Sequence, residues 1–340
     1  MMKKKNFLFL LALIGVIGMV WAYVRYFKPN VVDFTGKKYL YIRTGSGWKE
    51  VIDSLNSHHL LIDENSFNDM AVTMGVDKQV HPGRYALEPG MSNYSLLKLL
   101  RSGVQSPVKL TLNKLRTKEQ IIHKLSSQLE PDSTAFARLF SDSTFLNSYG
   151  IGASQIQVLF MPNTYELYWN TSSEKVISKI AKSHQQFWNA ERKARAKQLN
   201  LSIPDIITLA SIVEEETNKH DEKPRIASVY LNRLKIGMKL GADPTVKFAV
   251  GDFTLRRILN IHTQKASPYN TYQVAGLPPG PICTPGKESI EAVLNHEETK
   301  YLFFCAKEDF SGYHNFASTY NEHLENARRY QQALNQRNIK

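Results

Sequence analysis

Between Phe7 and Val24 the chain runs 18 residues without a charge, preceded by Lys3, Lys4 and Lys5 and followed by Arg25 and Lys28. Wound as a helix, that stretch reaches about 27 Å, close to the roughly 30 Å hydrocarbon thickness of a bilayer. Trp21, Tyr23, Tyr26 and Phe27 suit the far interface. The segment reads as a membrane anchor over 7–27 with a cytoplasmic tail at 1–6. A cleaved signal peptide is the competing reading, but its apolar region is usually about 7–15 residues and ends at a small-x-small site, which is not found before Arg25. By the positive-inside rule the three leading lysines put the chain after about residue 28 outside the cytoplasm, although Arg25 and Lys28 reduce the asymmetry.

The other 300 or so residues fit roughly two domains, each large enough for a core. Hydrophobic residues make up 42%, aromatics 11%, and 18 Gly with 14 Pro is ordinary usage, which excludes disordered and collagenous chains. The net charge is +12, of which the five basic residues before Asn30 contribute 5 and leave +7 for the exported part. That mild excess is compatible with nucleic acid, anionic lipid or an acidic wall polymer, and no arginine-rich run or helix-turn-helix cue promotes the first. Cys283 and Cys305 are too few for a disulfide scaffold and fit no zinc spacing, and the ten histidines form no HExxH cluster, so no catalytic metal is expected. Gly45-x-Gly47 lacks the third glycine of a nucleotide fingerprint, and no Walker loop occurs, so no cofactor is expected. Ser46-Gly-Trp-Lys49 matches a penicillin-interacting tetrad, but without a Lys-Thr-Gly downstream it reads as a turn and helix start.

From about 38 to 125 a short alternating run, a turn and an amphipathic helix recur. Tyr41 to Gly47 leads into Trp48–Leu55, Tyr85 to Met91 into Tyr94–Leu100, and Leu110 to Leu115 into Thr117–Leu125. Val51, Ile52 and Leu55, like Ile121, Ile122 and Leu125, form the stripe of a helix packed on a sheet. These are small β-α modules, explained by duplication or by ordinary alternation, with a seam at Gly103 and Pro107. From about 130 to 200 the pattern is helical, interrupted by an irregular aromatic stretch from Phe160 to Tyr168.

Pro204-Asp205 starts a helix whose apolar stripe, Ile206, Ile207, Leu209, Ala210, Ile212 and Val213, runs into Glu214, Glu215 and Glu216. At about 100° per residue, Glu216 falls roughly 60° from the centre of the stripe, against about 100° for Glu214 and 160° for Glu215. Burial and the negative helix end would both raise the Glu216 pKa, as a general acid near neutral pH requires. Three solvated charges on a fraying helix end would give the same sequence.

Leu209-Ala-Ser-Ile-Val-Glu-Glu-Glu-Thr217, Arg225-Ile-Ala-Ser-Val-Tyr-Leu-Asn-Arg233-Leu, Gly237-Met238, Asp243-Pro-Thr-Val246, Pro268-Tyr-Asn-Thr-Tyr272 and Gly276-Leu-Pro-Pro-Gly-Pro-Ile282 with Pro285-Gly286 resemble, in order and spacing, the endolytic murein transglycosylase, or YceG-like, family. The resemblance implies an α+β fold: a single N-terminal transmembrane helix, a small LysM-like β-α subdomain over 38–106 and a mixed α/β catalytic domain over 107–335. It implies an enzyme of the cytoplasmic (inner) membrane, its catalytic region outside the cytoplasm. The enzyme would cleave the β-1,4 bond between N-acetylmuramic acid and N-acetylglucosamine within nascent peptidoglycan strands, leave 1,6-anhydro ends and so limit strand elongation. Glycan strands and membrane-bound peptidoglycan polymerases or transpeptidases are the implied partners. The family's catalytic Glu directly before Thr falls on Glu216. Two positions depart from the family pattern: Gly241 stands where Gln is common, and Asn163 where Asp is common in Pro-Asp-Thr-Tyr.

Asn232, Arg233, Asp243, Thr245, Tyr269, Asn270 and Tyr272 are the candidates for the substrate-binding wall. Each also has a structural reading: Asn232 and Arg233 as caps or ion-pair partners on a helix stripe, Asp243-Pro-Thr245 as a turn or helix cap, and Tyr269 to Tyr272 as part of a rigid loop. A non-catalytic wall-binding scaffold and a hydrolase pairing Glu216 with a second carboxylate are the alternative functions.

Overall fold

A computed structural model describes residues 4–255 and 257–337; Lys3 and the start of the expected cytoplasmic tail lie outside the described residues. The chain is a mixed α/β protein that divides into two compact units. One holds the chain to Lys109 with short returns at Gln128–Pro131 and Glu166–Ser172, and the other holds Leu110–Ser127, Asp132–Tyr165 and the chain from Ser173 onward.

The first unit opens with α1 (Lys4–Phe27), whose Asn6–Phe27 stretch is long and apolar enough to cross a membrane and leaves its side chains unburied. Then come β1 (Lys38–Ile42), α2 (Trp48–Ser57), α3 (Glu64–Met74), β2 (Gly83–Leu87) and α4 (Asn93–Ser102). β1 and β2 pair antiparallel with Leu40 opposite Tyr85. The alternation of the strands buries Leu40, Ile42, Tyr85 and Leu87 while Tyr41 and Ala86 face out. Against that face pack Val51 and Leu55 of α2, Phe67 and Met70 of α3, and Leu96, Leu97 and Leu100 of α4. Asp63 caps α3 by accepting from the Ser66 amide, and Ser92 caps α4 by accepting from the Ser95 amide. Gly75 and Gly103 end these helices in the left-handed region, where a side chain would be strained. The end of α1 is docked on this unit: Arg25 pairs with Asp69, Phe27 lies 5.5 Å from the Tyr94 ring, and Asn93 donates to the Arg25 carbonyl at 3.4 Å.

The chain continues through β3 (Val108–Leu112), α5 (Lys118–Ser126), α6 (Ser133–Leu139), α7 (Ser143–Asn147), a 3-10 turn at Ala153–Leu159 and β4 (Asn163–Leu167). β4 lies in the aromatic stretch that reads as irregular in the sequence. It pairs with β3, about fifty residues upstream, and buries Tyr165 and Leu167 in alternation with exposed Thr164 and Glu166. A strand whose partner is remote leaves only a short local signal. The third strand-helix module thus spends its strand on this remote pairing and not on the β1–β2 sheet. Glu64–Met74, which the sequence reading passed over, is helical because the Asp63 cap starts it and Phe67, Met70 and Ala71 bury one side.

The second unit adds α8 (Ser173–Phe187), α9 (Ala190–Gln198), α10 (Ile203–Glu216), α11 (Lys223–Lys235), α12 (Asp243–Val250), α13 (Asn260–Thr263), α14 (Lys287–Leu294), the antiparallel pair β5 (Phe303–Ala306) and β6 (His314–Ala317), and α15 (Tyr320–Gln336). α10 is its centre. A capping box starts the helix: Asp205 N–H donates to the Ser202 hydroxyl at 3.3 Å, and Ser202 N–H to the Asp205 carboxylate at 2.9 Å. The helix is then wrapped by α11, α12 and α14, so that Ile206, Ile207, Leu209, Ala210, Ile212 and Val213 are all fully buried. Cys283 and Cys305 stand as separate thiols.

Replacing Leu97, fully buried in the first unit, with Ala is expected to lower the unfolding free energy by about 2–5 kcal/mol, measured by urea unfolding of the detergent-solubilised chain followed by tryptophan fluorescence.

Candidate active site

The C-terminal end of α10 carries three consecutive carboxylates, and their surroundings separate them. Glu214 accepts from Lys223 Nζ at 2.9 Å and from the Ser289 hydroxyl; both donors are themselves buried. Glu215 is held by Lys114 Nζ at 2.9 Å and Arg116 Nη2 at 3.0 Å. Burial alone would push Glu215 up, but the bonds and charges of Lys114 and Arg116 outweigh it and leave the carboxyl below the usual range. Among the described residues, Glu216 makes no ion pair; its Oε1 accepts from the Tyr230 hydroxyl at 2.5 Å.

All three side chains are partly buried, so the helical wheel misjudges Glu214 and Glu215, which it turns away from the interior. The wheel assumes one buried face, whereas segments 114–116 and 286–289 cover the other faces of this helix end. The distinction lies in charge compensation. Burial raises the Glu216 pKa first and most; the Tyr230 hydrogen bond opposes it, the Asp243 charge adds to it, and the Arg233 and Lys247 charges pull back, leaving the group at about 7. Tyr230, fully buried on α11, is itself pushed well above the usual phenol range by burial and by Glu216, so it stays a donor at working pH.

Arg233, one turn along α11 from Tyr230, donates from Nε to the Leu302 carbonyl at 2.6 Å and from Nη1 to the Leu240 carbonyl at 2.5 Å, which fixes a cation in the field of Glu216. Asp243 is the exposed first residue of α12, with Ala242 in the cap position, and its Oδ1 accepts from the Tyr272 hydroxyl at 2.7 Å. Tyr272 is 37% exposed. Glu216, Tyr230, Arg233, Asp243, Lys247 and Tyr272 thus form one electrostatic cluster.

The other candidate residues make internal bonds. Asn232 donates to the Thr299 and Tyr301 carbonyls at 2.9 and 3.0 Å. Thr245, fully buried, donates to the Ala242 carbonyl at 2.6 Å and bonds the Thr271 hydroxyl at 2.8 Å. Asn270, also fully buried, donates to the Thr263 and Lys265 carbonyls at 3.0 and 2.8 Å. The Tyr269 ring packs 4.6 Å from Phe248. At Gly280 a Cβ would lie 2.5 Å from the Ser154 carbonyl oxygen, so the Pro-Pro-Gly loop requires glycine there. The loop is tied to α10 where the Ile282 amide donates to the Ser211 hydroxyl at 3.0 Å. Asn163 is a β4 residue whose Nδ2 donates to Ser183 at 3.4 Å, and Gly241 takes a left-handed φ of 53° with Arg233 and Tyr272 at van der Waals distance from where a Cβ would stand. Tyr230 was missed in the sequence because it occupies an apolar stripe position; only its spacing relative to Arg233 marked it as sharing a helix side.

The arrangement defines a mixed α/β protein built around a protonatable carboxyl at the end of a buried helix. Among the described residues, no group of three or more His, Cys, Asp or Glu could hold a metal ion. The YceG-like family model matches residues 40–329, and the chain belongs to that family. It is 28% identical over 312 residues to a Bacillus subtilis protein named endolytic murein transglycosylase, covering 87% of this chain and 85% of that one. A Streptococcus pneumoniae protein of the same name is 28% identical over 308 residues, 81% of this chain and 55% of the longer relative. A 2.6 Å crystal structure of a yceG-like protein from Listeria monocytogenes superposes with a TM-score of 0.57 at 26% identity, covering 85% of this chain and 98% of that one.

Because Glu216 binds its proton more tightly folded than unfolded, its contribution to stability is fully present below the unfolded carboxyl pKa near 4.5 and is lost as pH rises through about 7. Glu216→Gln is therefore expected to gain about 3 kcal/mol of unfolding free energy at pH 8 and nothing at pH 4, measured by urea unfolding at the two pH values.

Proposed function

We propose that this protein is a membrane-anchored lytic transglycosylase that cuts peptidoglycan within the glycan strand, with Glu216 as its single acid–base group. The enzyme class is that of the curated relatives in the family. The observation that carries the reading is that Glu216, alone of three adjacent carboxyls, lacks a cation partner and has a pKa of about 7.

A group with that pKa is protonated often enough to donate to the leaving glycosidic oxygen and, once ionised, basic enough to take the proton of the muramoyl C6 hydroxyl. The hydroxyl closes on C1, and the strand ends in a 1,6-anhydro sugar without consuming water. One carboxyl then suffices where glycoside hydrolases usually need two. Tyr230 holds Oε1 as an acceptor, which leaves Oε2 as the oxygen to carry and deliver the proton. Positive charge developing at C1 is met by Asp243 and the Tyr272 hydroxyl, and Arg233 steadies the carboxylate formed after donation. Tyr269 shapes the loop beside them, while Asn232, Thr245 and Asn270 hold the backbone on which the wall stands.

The apolar helix α1 acts as a single-pass anchor of the cytoplasmic membrane with the catalytic region outside. The compact unit over 38–106, a LysM-like module, grips glycan near the membrane surface. Cleavage there limits the length of strands delivered by membrane-bound polymerases or transpeptidases.

The test is incubation of the purified protein with glycan strands, followed by mass analysis of the new ends in normal and oxygen-18 water. Anhydromuramoyl ends without solvent oxygen are expected, with Glu216→Gln slower by about 10²–10⁴-fold. Solvent oxygen in the new ends would instead assign a hydrolase that pairs Glu216 with a second carboxylate. Binding without new ends would leave a scaffold.

The acid must be protonated, so kcat/KM is expected to fall as pH rises through about 7. Tyr230→Phe removes a bond that lowers the Glu216 pKa, so this limb should move to higher pH while kcat at pH 6 drops about tenfold from lost orientation. A pH profile that stays in place would show that Tyr230 only fills space.

A further inference from the structure

Beside the carboxylate cluster lies a cavity of about 60 Å³ lined by Arg116, Glu215, Pro244, Lys247, Phe253 and Ile282. That is roughly twice the volume a water molecule occupies in the liquid, enough for one carboxylate and little more. Its charge is not balanced. Arg116 is bound to Glu215, and Lys247 makes no ion pair among the described residues, so two cations line the cavity with one acid. The other acid near this end of α12, Asp243, is taken by the Tyr272 hydroxyl at 2.7 Å. Arg116 uses Nη2 on Glu215 and stacks over Phe253 at 5.1 Å, which leaves further N–H donors on a held guanidinium. Lys247 also acts on Glu216 through its field, so one wall of the cavity lies within charge range of the reacting group.

The sugars of a peptidoglycan strand are uncharged. Its acidity sits on the muramoyl lactyl arm, as a free lactyl carboxylate where the stem peptide has been removed, or as side-chain and terminal carboxylates where the stem remains. We propose that this cavity is the subsite that receives a carboxylate of the lactyl arm or its stem, with Lys247 and Arg116 as its cationic walls. The substrate named here rests on the proposed function. The subsite makes the enzyme a reader of what each muramoyl residue carries, since a neutral arm leaves Lys247 without an ion-pair partner.

The test compares strands bearing stems, strands stripped of stems, and each of these with its carboxylates converted to amides. kcat/KM for cleavage and the dissociation constant are read for the full-length protein and for Lys247→Gln and Lys247→Arg. The wild type is expected to prefer at least one acidic strand over its amidated counterpart by about tenfold, the size of one charge-assisted hydrogen bond. Whichever acidic strand shows the preference identifies the source of the carboxylate. Lys247→Gln should bring the ratio close to one, and Lys247→Arg should keep it. Loss of Lys247 also shifts Glu216, but equally for both members of a pair, so the ratio isolates the subsite. Equal cleavage of acidic and amidated strands by the wild type overturns the proposal whatever the variants do, as does a ratio unchanged in Lys247→Gln. Preference for acidic strands in binding, without cleavage of any strand, would overturn the transglycosylase reading and leave the carboxylate subsite standing.

Discussion

Three carboxylates in succession at the C-terminal end of a buried helix cannot all ionise at ordinary cost. The helix dipole is negative at that end, each charge repels the next, and each loses hydration as the surrounding elements close. The second unit meets this by bringing in cations from far along the chain. Lys223 comes from the start of α11, and Lys114 and Arg116 come from the segment about a hundred residues upstream. They neutralise two of the three. The third is left with a phenol, and a phenol stabilises an anion far less than an ammonium does. The pKa of Glu216 follows from that unequal distribution.

The rest of the second unit keeps the distribution fixed. Tyr230 and Arg233 stand on one side of α11, and that helix is held from outside by the bonds of Asn232 and Arg233 to the chain entering β5. Glu222, buried just before α11, accepts from both the His314 amide and its ring at 2.8 and 2.9 Å, a second tie to the β5–β6 pair. Thr245 and Thr271 bond to each other and fix the start of α12 against the loop that carries Tyr272. The buried hydroxyls and amides of the family motifs serve the backbone, and the groups left facing Glu216 are few: one phenol, one guanidinium, one carboxylate with its tyrosine, and one ammonium.

In the first unit the organising constraint is different. A helix able to cross a membrane ends directly on a folded module, with Arg25, Phe27 and Pro29 all engaged by α3 or α4 or the turn between β2 and α4. Few residues separate the apolar segment from the first docked contact, so the module sits close to whatever surface the helix enters.

Much of this was legible in the sequence. The apolar run, the strand-helix alternation over 38–125 and the stripe of α10 are local patterns, and a local pattern needs no partner to be read. Glu216 was singled out by its position after that stripe and by its place before Thr217. What the residue order could not supply was the company each group keeps. Glu214 and Glu215 look as free as Glu216 until Lys223, Lys114 and Arg116 arrive. Thr245 and Asn270 look like ligands until their bonds are seen to close on carbonyls, Tyr230 looks like core packing until its hydroxyl meets a carboxylate, and β4 looks irregular until β3 lies beside it. By itself the sequence determined the membrane-length helix, the strand-helix alternation over 38–125 and the apolar stripe of α10 that ends in Glu216, because periodicity and composition act over a few residues. Only the tertiary structure decided which of three equal acids holds its proton near neutrality, because that depends on charges and burial contributed by segments about a hundred residues apart.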